Sequence, residues 1–260
     1  MRFYNARTNT GYIIILWKPK IAKNRDYENG GFMDKPIYLS YMRVKSWLAA
    51  IILTTLIISL SVTIALYFKP LYYLDMQKYD LAEKYGVTEE EIKENYDTLI
   101  WYNTLFNDSE LEFPTLTMSE NGRQHFAEVK KIFLNLQWAG IICLVLLTPI
   151  LTWAVSRKEW RWVKYTGYLC IGIPTAVGIL ILFCWDNLFV WFHKLVFRND
   201  FWLFDPSTDP IINFLPDGFF MHCAILIVVL VLAAAALCLN RYKYLQKHPN
   251  PMIKEKKKFV

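Results

Sequence analysis

The chain has 260 residues, 55% of them hydrophobic and 17% aromatic, and a formal net charge of +6. So apolar a composition excludes an ordinary soluble domain and calls for a search for membrane spans. The basic excess is poor support for nucleic-acid binding, because the lysines and arginines are scattered along the flanks of the apolar runs.

In chain order, residues 1–32 hold only the short apolar stretch GYIIILW, too brief to cross a bilayer. Met33 opens MDKPIYLSYMRVKSW, which reads as an ordinary inner flank, so we expect translation to start there and residues 1–32 to be an extension. The first span is expected at 47–67. It is too long for a signal-peptide apolar region and lacks a small-residue cleavage site, so it should remain as an anchor.

An outer loop, 68–132, follows. In GVTEEEIKENYDTLIWYNTLF a capping box is expected, with Thr88 at the cap and Glu91 three residues on. Ile92, Tyr96, Leu99 and Ile100 then fall on one helical stripe, opposite Glu90, Lys93, Glu94 and Asp97. Such a helix suits the membrane surface or a roof over the spans. In LFNDSELEFPTLTMS a turn at 107–109 precedes alternating Leu111, Phe113, Leu116 and Met118, the pattern of a short hairpin.

ENGRQHFAEVKKIF leads into a second span at 133–155, and the link SRKEWRWVK leads to a third at 165–185. Gly167, Gly172, Pro174 and Gly178 in that span predict a kink or a close helix contact. A second outer loop, 186–218, precedes a fourth span at 219–239, and a basic tail covers 242–260. Each span is about 20 almost uncharged residues, the length a helix needs to cross hydrocarbon. The expected fold is therefore an all-α membrane protein over 33–241. It has four transmembrane helices, a structured extracellular first loop and a second outer loop rich in proline and aromatics.

Basic residues set the orientation. The leader before Trp47 has nine basic and three acidic residues, the 156–164 link four and one, and the tail after Leu239 seven and one. Loop 68–132 has seven basic against thirteen acidic, and loop 186–218 has two against five. Both termini and the link should face the cytoplasm and both polar loops the exterior. Cys143, Cys170, Cys184, Cys223 and Cys238 all fall inside the expected spans, an odd set that makes no disulfide framework.

Among the four histidines, His248 lies in the tail and is expected to be exposed. His222 opens the fourth span and reads more readily as an interfacial polar anchor than as a catalyst. His125 lies about two turns before the apolar part of span two, and His193 about two turns after that of span three. Both therefore sit at one depth, just outside the outer hydrocarbon boundary. Spacing alone leaves them balanced between an acid–base pair and two unrelated interface residues. Their surroundings favour a site. Glu128 is three residues from His125, and His193 is followed by Arg198, Asp200, Trp202, Asp205 and Asp209 with Pro206, Pro210 and Pro216 stiffening the loop. Glu128 or Asp205 is expected to orient an imidazole. Arg198 either stabilises an oxyanion or pairs with Asp200 or Asp205, and Trp202 and Asp209 are structural members of the loop. No HExxH zinc motif, GxSxG elbow or glycine-rich phosphate loop is present. No cofactor or metal site is expected.

Three blocks carry a resemblance: VTEEEIKENYDTLIWYN, HFAEVKKIF and FHKLVFRNDFWLFDPSTDPIINFLPDGFF. They resemble the lipoprotein intramolecular transacylases, four-span membrane proteins of low-GC Gram-positive bacteria, over about residues 33–241. The third block is the most specific, through its W-x-x-D-P-x-x-D-P-I-I-x-x-L-P order. One departure is Glu128, at a position where the family usually has aspartate, which keeps the charge.

The resemblance implies an outward-facing site in a bacterial cytoplasmic membrane, with diacylglyceryl-modified lipoproteins and membrane lipid as partners. It implies transfer of the sn-2 acyl chain to the alpha-amine of the same lipidated cysteine, giving an N-acyl lyso-form lipoprotein. The family's paired histidines correspond to His125 and His193. Two alternatives stay open: another outward-facing lipid acyltransferase or esterase, and a non-catalytic four-span scaffold or sensor.

Overall fold

The computed structural model describes residues 35–248, so the proposed start at Met33, the extension before it and the tail beyond His248 lie outside the described residues. In chain order the helices are α1 (Lys35–Tyr67), α2 (Lys69–Lys78), α3 (Leu81–Tyr85), α4 (Glu89–Tyr102), α5 (Glu120–Arg157), α6 (Arg161–Val196) and α7 (Asp217–Lys247), with a 3₁₀ turn at Pro210–Phe214. Two compact units divide at Met42. The first contributes the opening turns of α1, and the second holds everything described below.

Helices α1, α5, α6 and α7 are each long and apolar enough to cross a membrane. They overrun the expected spans because polar residues continue the helical pattern past the hydrocarbon. α5 starts thirteen residues before 133, with Ser119 capping it by accepting the Gly122 N–H at 3.0 Å. α6 runs on through His193 to Val196. The spans pack through small residues, which lets backbones approach closely where lipid gives no hydrophobic drive to association. A side chain at Gly167 of α6 would collide with Leu239 of α7, and one at Gly140 of α5 would crowd Ser59 of α1. Cys170, Val231 and Ala235 are buried together between α6 and α7, while Leu182, Phe183 and Leu237 remain exposed, as lipid-facing residues can be. α6 also departs from helical geometry, at Cys184 and not at Pro174.

A second core lies beyond the apolar runs, where α5 and α7 begin. Tyr72 and Met76 of α2, Ile92, Tyr96, Leu99 and Ile100 of α4, Phe126 of α5, Phe219 of α7 and the 3₁₀ residues Ile211 and Phe214 are all buried there. Tyr72 and Tyr96 stack with ring centroids 3.5 Å apart, and the Tyr72 hydroxyl donates to the Phe214 carbonyl at 2.9 Å. The stripe expected on α4 is thus the face that roofs the spans.

Two local expectations need correction. Thr88 caps α4 by accepting the Glu91 N–H at 3.1 Å, but the Glu91 carboxylate accepts from the Thr115 hydroxyl at 2.9 Å instead of closing the capping box. The hairpin expected over 107–118 is not a hairpin, and no strand occurs among the described residues. Its alternation is real, since Leu111 is buried and Phe113, Leu116 and Met118 pack on this second core. The backbone finds side chains in place of a partner strand: Asn95 of α4 bonds to both the hydroxyl and the N–H of Thr115.

Candidate active site

His125 and His193 come from different spanning helices, 68 positions apart in sequence, yet their ring centroids lie 6.1 Å apart. Helix α5 carries His125 in its second turn, 6% exposed, against the rings of Phe197 at 4.7 Å and Phe204 at 5.4 Å. Helix α6 carries His193 in its last turn, against Phe189 at 4.2 Å and Trp202 at 4.9 Å. The pair sits in an aromatic enclosure built from α5, α6 and the segment that joins α6 to α7.

The two rings are held differently. Nδ1 of His193 is 2.8 Å from the Phe189 carbonyl oxygen. A carbonyl only accepts, so this nitrogen carries the hydrogen and Nε2 keeps its lone pair. Nδ1 of His125 is buried without a hydrogen-bond partner.

Neither carboxylate expected to orient an imidazole does so. Both oxygens of Glu128 accept from Nδ2 of Asn199, at 3.0 and 3.1 Å. Asp205 is exposed, and its Oδ1 accepts from the Ser207 N–H at 2.9 Å and hydroxyl at 2.7 Å. Those two donors hold its carboxyl below the ordinary aspartate value. Arg198 is exposed and forms no ion pair with Asp200 or Asp205 among the described residues. Trp202 donates its indole N–H to the Asn199 carbonyl at 3.1 Å. Asp209 is 2% exposed and reaches across to the start of α5, where its Oδ1 accepts the Ser119 N–H at 2.8 Å. Gly122 makes this approach possible, since any side chain there would strike the Asp209 carboxylate.

His222 has partners of its own. Its Nδ1 is 2.8 Å from each carboxylate oxygen of the buried Asp75 on α2, and its Nε2 is 3.5 Å from Lys78 Nζ. Among the described residues no cluster of three or more His, Cys, Asp or Glu is placed to hold a metal ion. All five cysteines are free.

The model of the family described as lipoprotein intramolecular transacylase Lit matches residues 47–220. The chain belongs to the lipoprotein intramolecular transacylase Lit family. It is an acyltransferase of that family and a multi-pass integral membrane protein. The crystal structure of Lit from Bacillus cereus is similar at 35% identity and a TM-score of 0.78, covering 81% of this chain and 98% of that one. Two further structures of Bacillus cereus Lit each carry a substitution of one histidine, to arginine in one and to alanine in the other. Both match at 34% identity and a TM-score of 0.74, over 83% of this chain and 97% and 99% of theirs. A comparison with curated proteins returned no match.

Sequence reasoning missed Asn199, Asp75 and the rings of Phe189, Phe197 and Phe204. Asp75 left one usable signal, a lone acid among the aromatics of LYYLDMQ. Asn199 left none beyond its place in the third block, because nothing local says which acid an amide will meet.

Proposed function

We propose that this chain moves the sn-2 acyl chain of a diacylglyceryl-cysteine lipoprotein to that cysteine's own alpha-amine, with His125 and His193 as the acid–base pair. The observation that carries the reading is the approach of those two imidazoles, 6.1 Å between centroids, inside an aromatic enclosure. The site faces the exterior and both termini face the cytoplasm, a placement that rests on the alternation of basic and acidic flanks.

The chemistry needs little more. The amine nitrogen attacks the ester carbonyl carbon, the bond from that carbon to the sn-2 oxygen breaks, the nitrogen gives up a proton and the oxygen takes one. No proton is gained or lost overall, so two imidazoles that pass one along suffice. His193 is the base, because its Nδ1–H is engaged and Nε2 is the free acceptor. His125 is its partner toward the carbonyl or leaving oxygen. No covalent enzyme intermediate is required, since nucleophile and ester belong to one molecule. Arg198, five residues past His193 and unpaired, remains available to the developing oxyanion. The Phe and Trp rings clamp the acyl chains and thioglyceryl stem, and holding both groups within reach removes several kcal/mol of barrier.

The test is reconstitution in vesicles with a diacylglyceryl-cysteine peptide. An intramolecular shift leaves the mass unchanged, so fragment ions and an amine-reactive label are the readouts. Loss of the free amine with N-acyl fragment ions is expected. A free-amine peptide that stays intact, or one that loses a fatty acid to water, overturns the reading.

A further inference from the structure

Asn199 joins the two elements that carry the histidines. Its Nδ2 donates to both oxygens of Glu128, which stands on α5 three residues after His125. Its Oδ1 accepts the Phe201 N–H at 3.1 Å. Its carbonyl oxygen accepts the indole N–H of Trp202 at 3.1 Å, and that indole lies 4.9 Å from the His193 ring. Hydrogen bonds to a carboxylate are roughly twice as strong as neutral ones, and the pair is half-buried, which limits competition from water. Indole has a single donor, so its one bond also sets how the ring is turned. Asn199 makes no hydrogen bond to either imidazole and reaches both through its neighbours.

We propose that Asn199 is a positioning residue for the acyl shift, holding α5 and the Trp202 ring in register so that His125 and His193 keep their working separation. The proposal rests on the catalytic reading of those histidines. The amide is suited to the position because it donates to Glu128 with one end and accepts from the loop backbone with the other. Aspartate has the same shape but would set a second carboxylate against the first.

The test uses the full chain in vesicles with the same lipopeptide. At neutral pH Asn199→Asp is expected to lower kcat about 10- to 100-fold, the scale of a small misplacement of reacting groups, with KM little changed. As pH falls, two facing carboxylates come to share one proton and a hydrogen bond returns. The ratio of variant to parent activity should then rise on the acid side. The double variant Glu128→Gln with Asn199→Asp exchanges donor and acceptor and should recover most of the lost kcat. Glu128→Ala, which breaks the clamp without adding charge, should lose kcat with no acid-side recovery. Parent-like kcat in Asn199→Asp or in Glu128→Ala overturns the assignment. So does a double variant no better than the single one, while transacylation by the parent still stands. A parent protein that yields no N-acyl peptide removes the catalytic reading itself, which is a separate outcome.

Discussion

His193 donates its Nδ1 hydrogen to the Phe189 carbonyl, one helical turn earlier, across 2.8 Å. That bond selects the tautomer and leaves Nε2 as the acceptor in the enclosure. His193→Gln should therefore lower kcat by about 100-fold or more, the usual worth of a general base. His125→Gln should cost a similar factor. Both variants are expected to insert and unfold at temperatures near the parent's, as followed by thermal unfolding in detergent. Parent-like rates would remove the histidines from the mechanism.

Activity should rise through about pH 7.5–8, because the nucleophile is an alpha-amine that titrates there. Replacing that amine with an N-methylated one of higher basicity should move the rise to higher pH. A rise that stays in place with both lipopeptides would assign it to the protein.

Asp209 is a stability residue in this reading, since it satisfies a backbone N–H at the N-terminus of the helix that bears His125. Asp209→Ala leaves the Ser119 N–H without its partner and should cost about 1–3 kcal/mol. Gly122→Ala should destabilise as well, by forcing the same carboxylate aside. Asp209→Asn keeps an oxygen acceptor and should be the mildest of the three.

His222 separates structure from catalysis. His222→Ala leaves the buried Asp75 carboxylate without its imidazole donor, and an unsatisfied buried acceptor costs about 1–3 kcal/mol. The variant should melt much earlier than the parent. Its rate per folded molecule should be unchanged where it remains folded, which a catalytic role would not allow.

The turn at Asp205 gives a pH effect of known sign. Its carboxyl sits below the ordinary aspartate value because Ser207 donates to it twice. A depressed folded value means its contribution is present above the ordinary aspartate range and is lost as pH falls through the folded value. The protection factor of the Ser207 amide, its exchange relative to the intrinsic rate at each pH, should fall in acid and lose that fall in Asp205→Ala.

Much of the architecture was legible from the chain. Four uncharged runs of about 20 residues had to become helices in lipid, because a helix satisfies its own backbone there and the other solution, a closed β-barrel, is built from strands half as long. The α4 stripe and its Thr88 cap followed from periodicity and from the orphan N–H groups at a helix start. The shared depth of His125 and His193 followed from their equal offsets from two spans running in opposite directions, whereas spacing alone left open whether they meet.

Other features depended on contacts between distant segments. Nothing local distinguishes an alternating run that pairs as a strand from one that docks on Asn95, and here the helix side chain takes the backbone N–H. Glu128 looked like a partner for His125 on its own helix, yet a loop more than 70 residues away supplies the amide that holds it. Sequence by itself determined which residues lie just beyond the apolar runs, because hydrophobicity and helical rise act on neighbours along the chain. Tertiary structure decided which of them touch, because a hydrogen bond of about 3 Å depends on how separate elements pack, and that is a property of the whole fold.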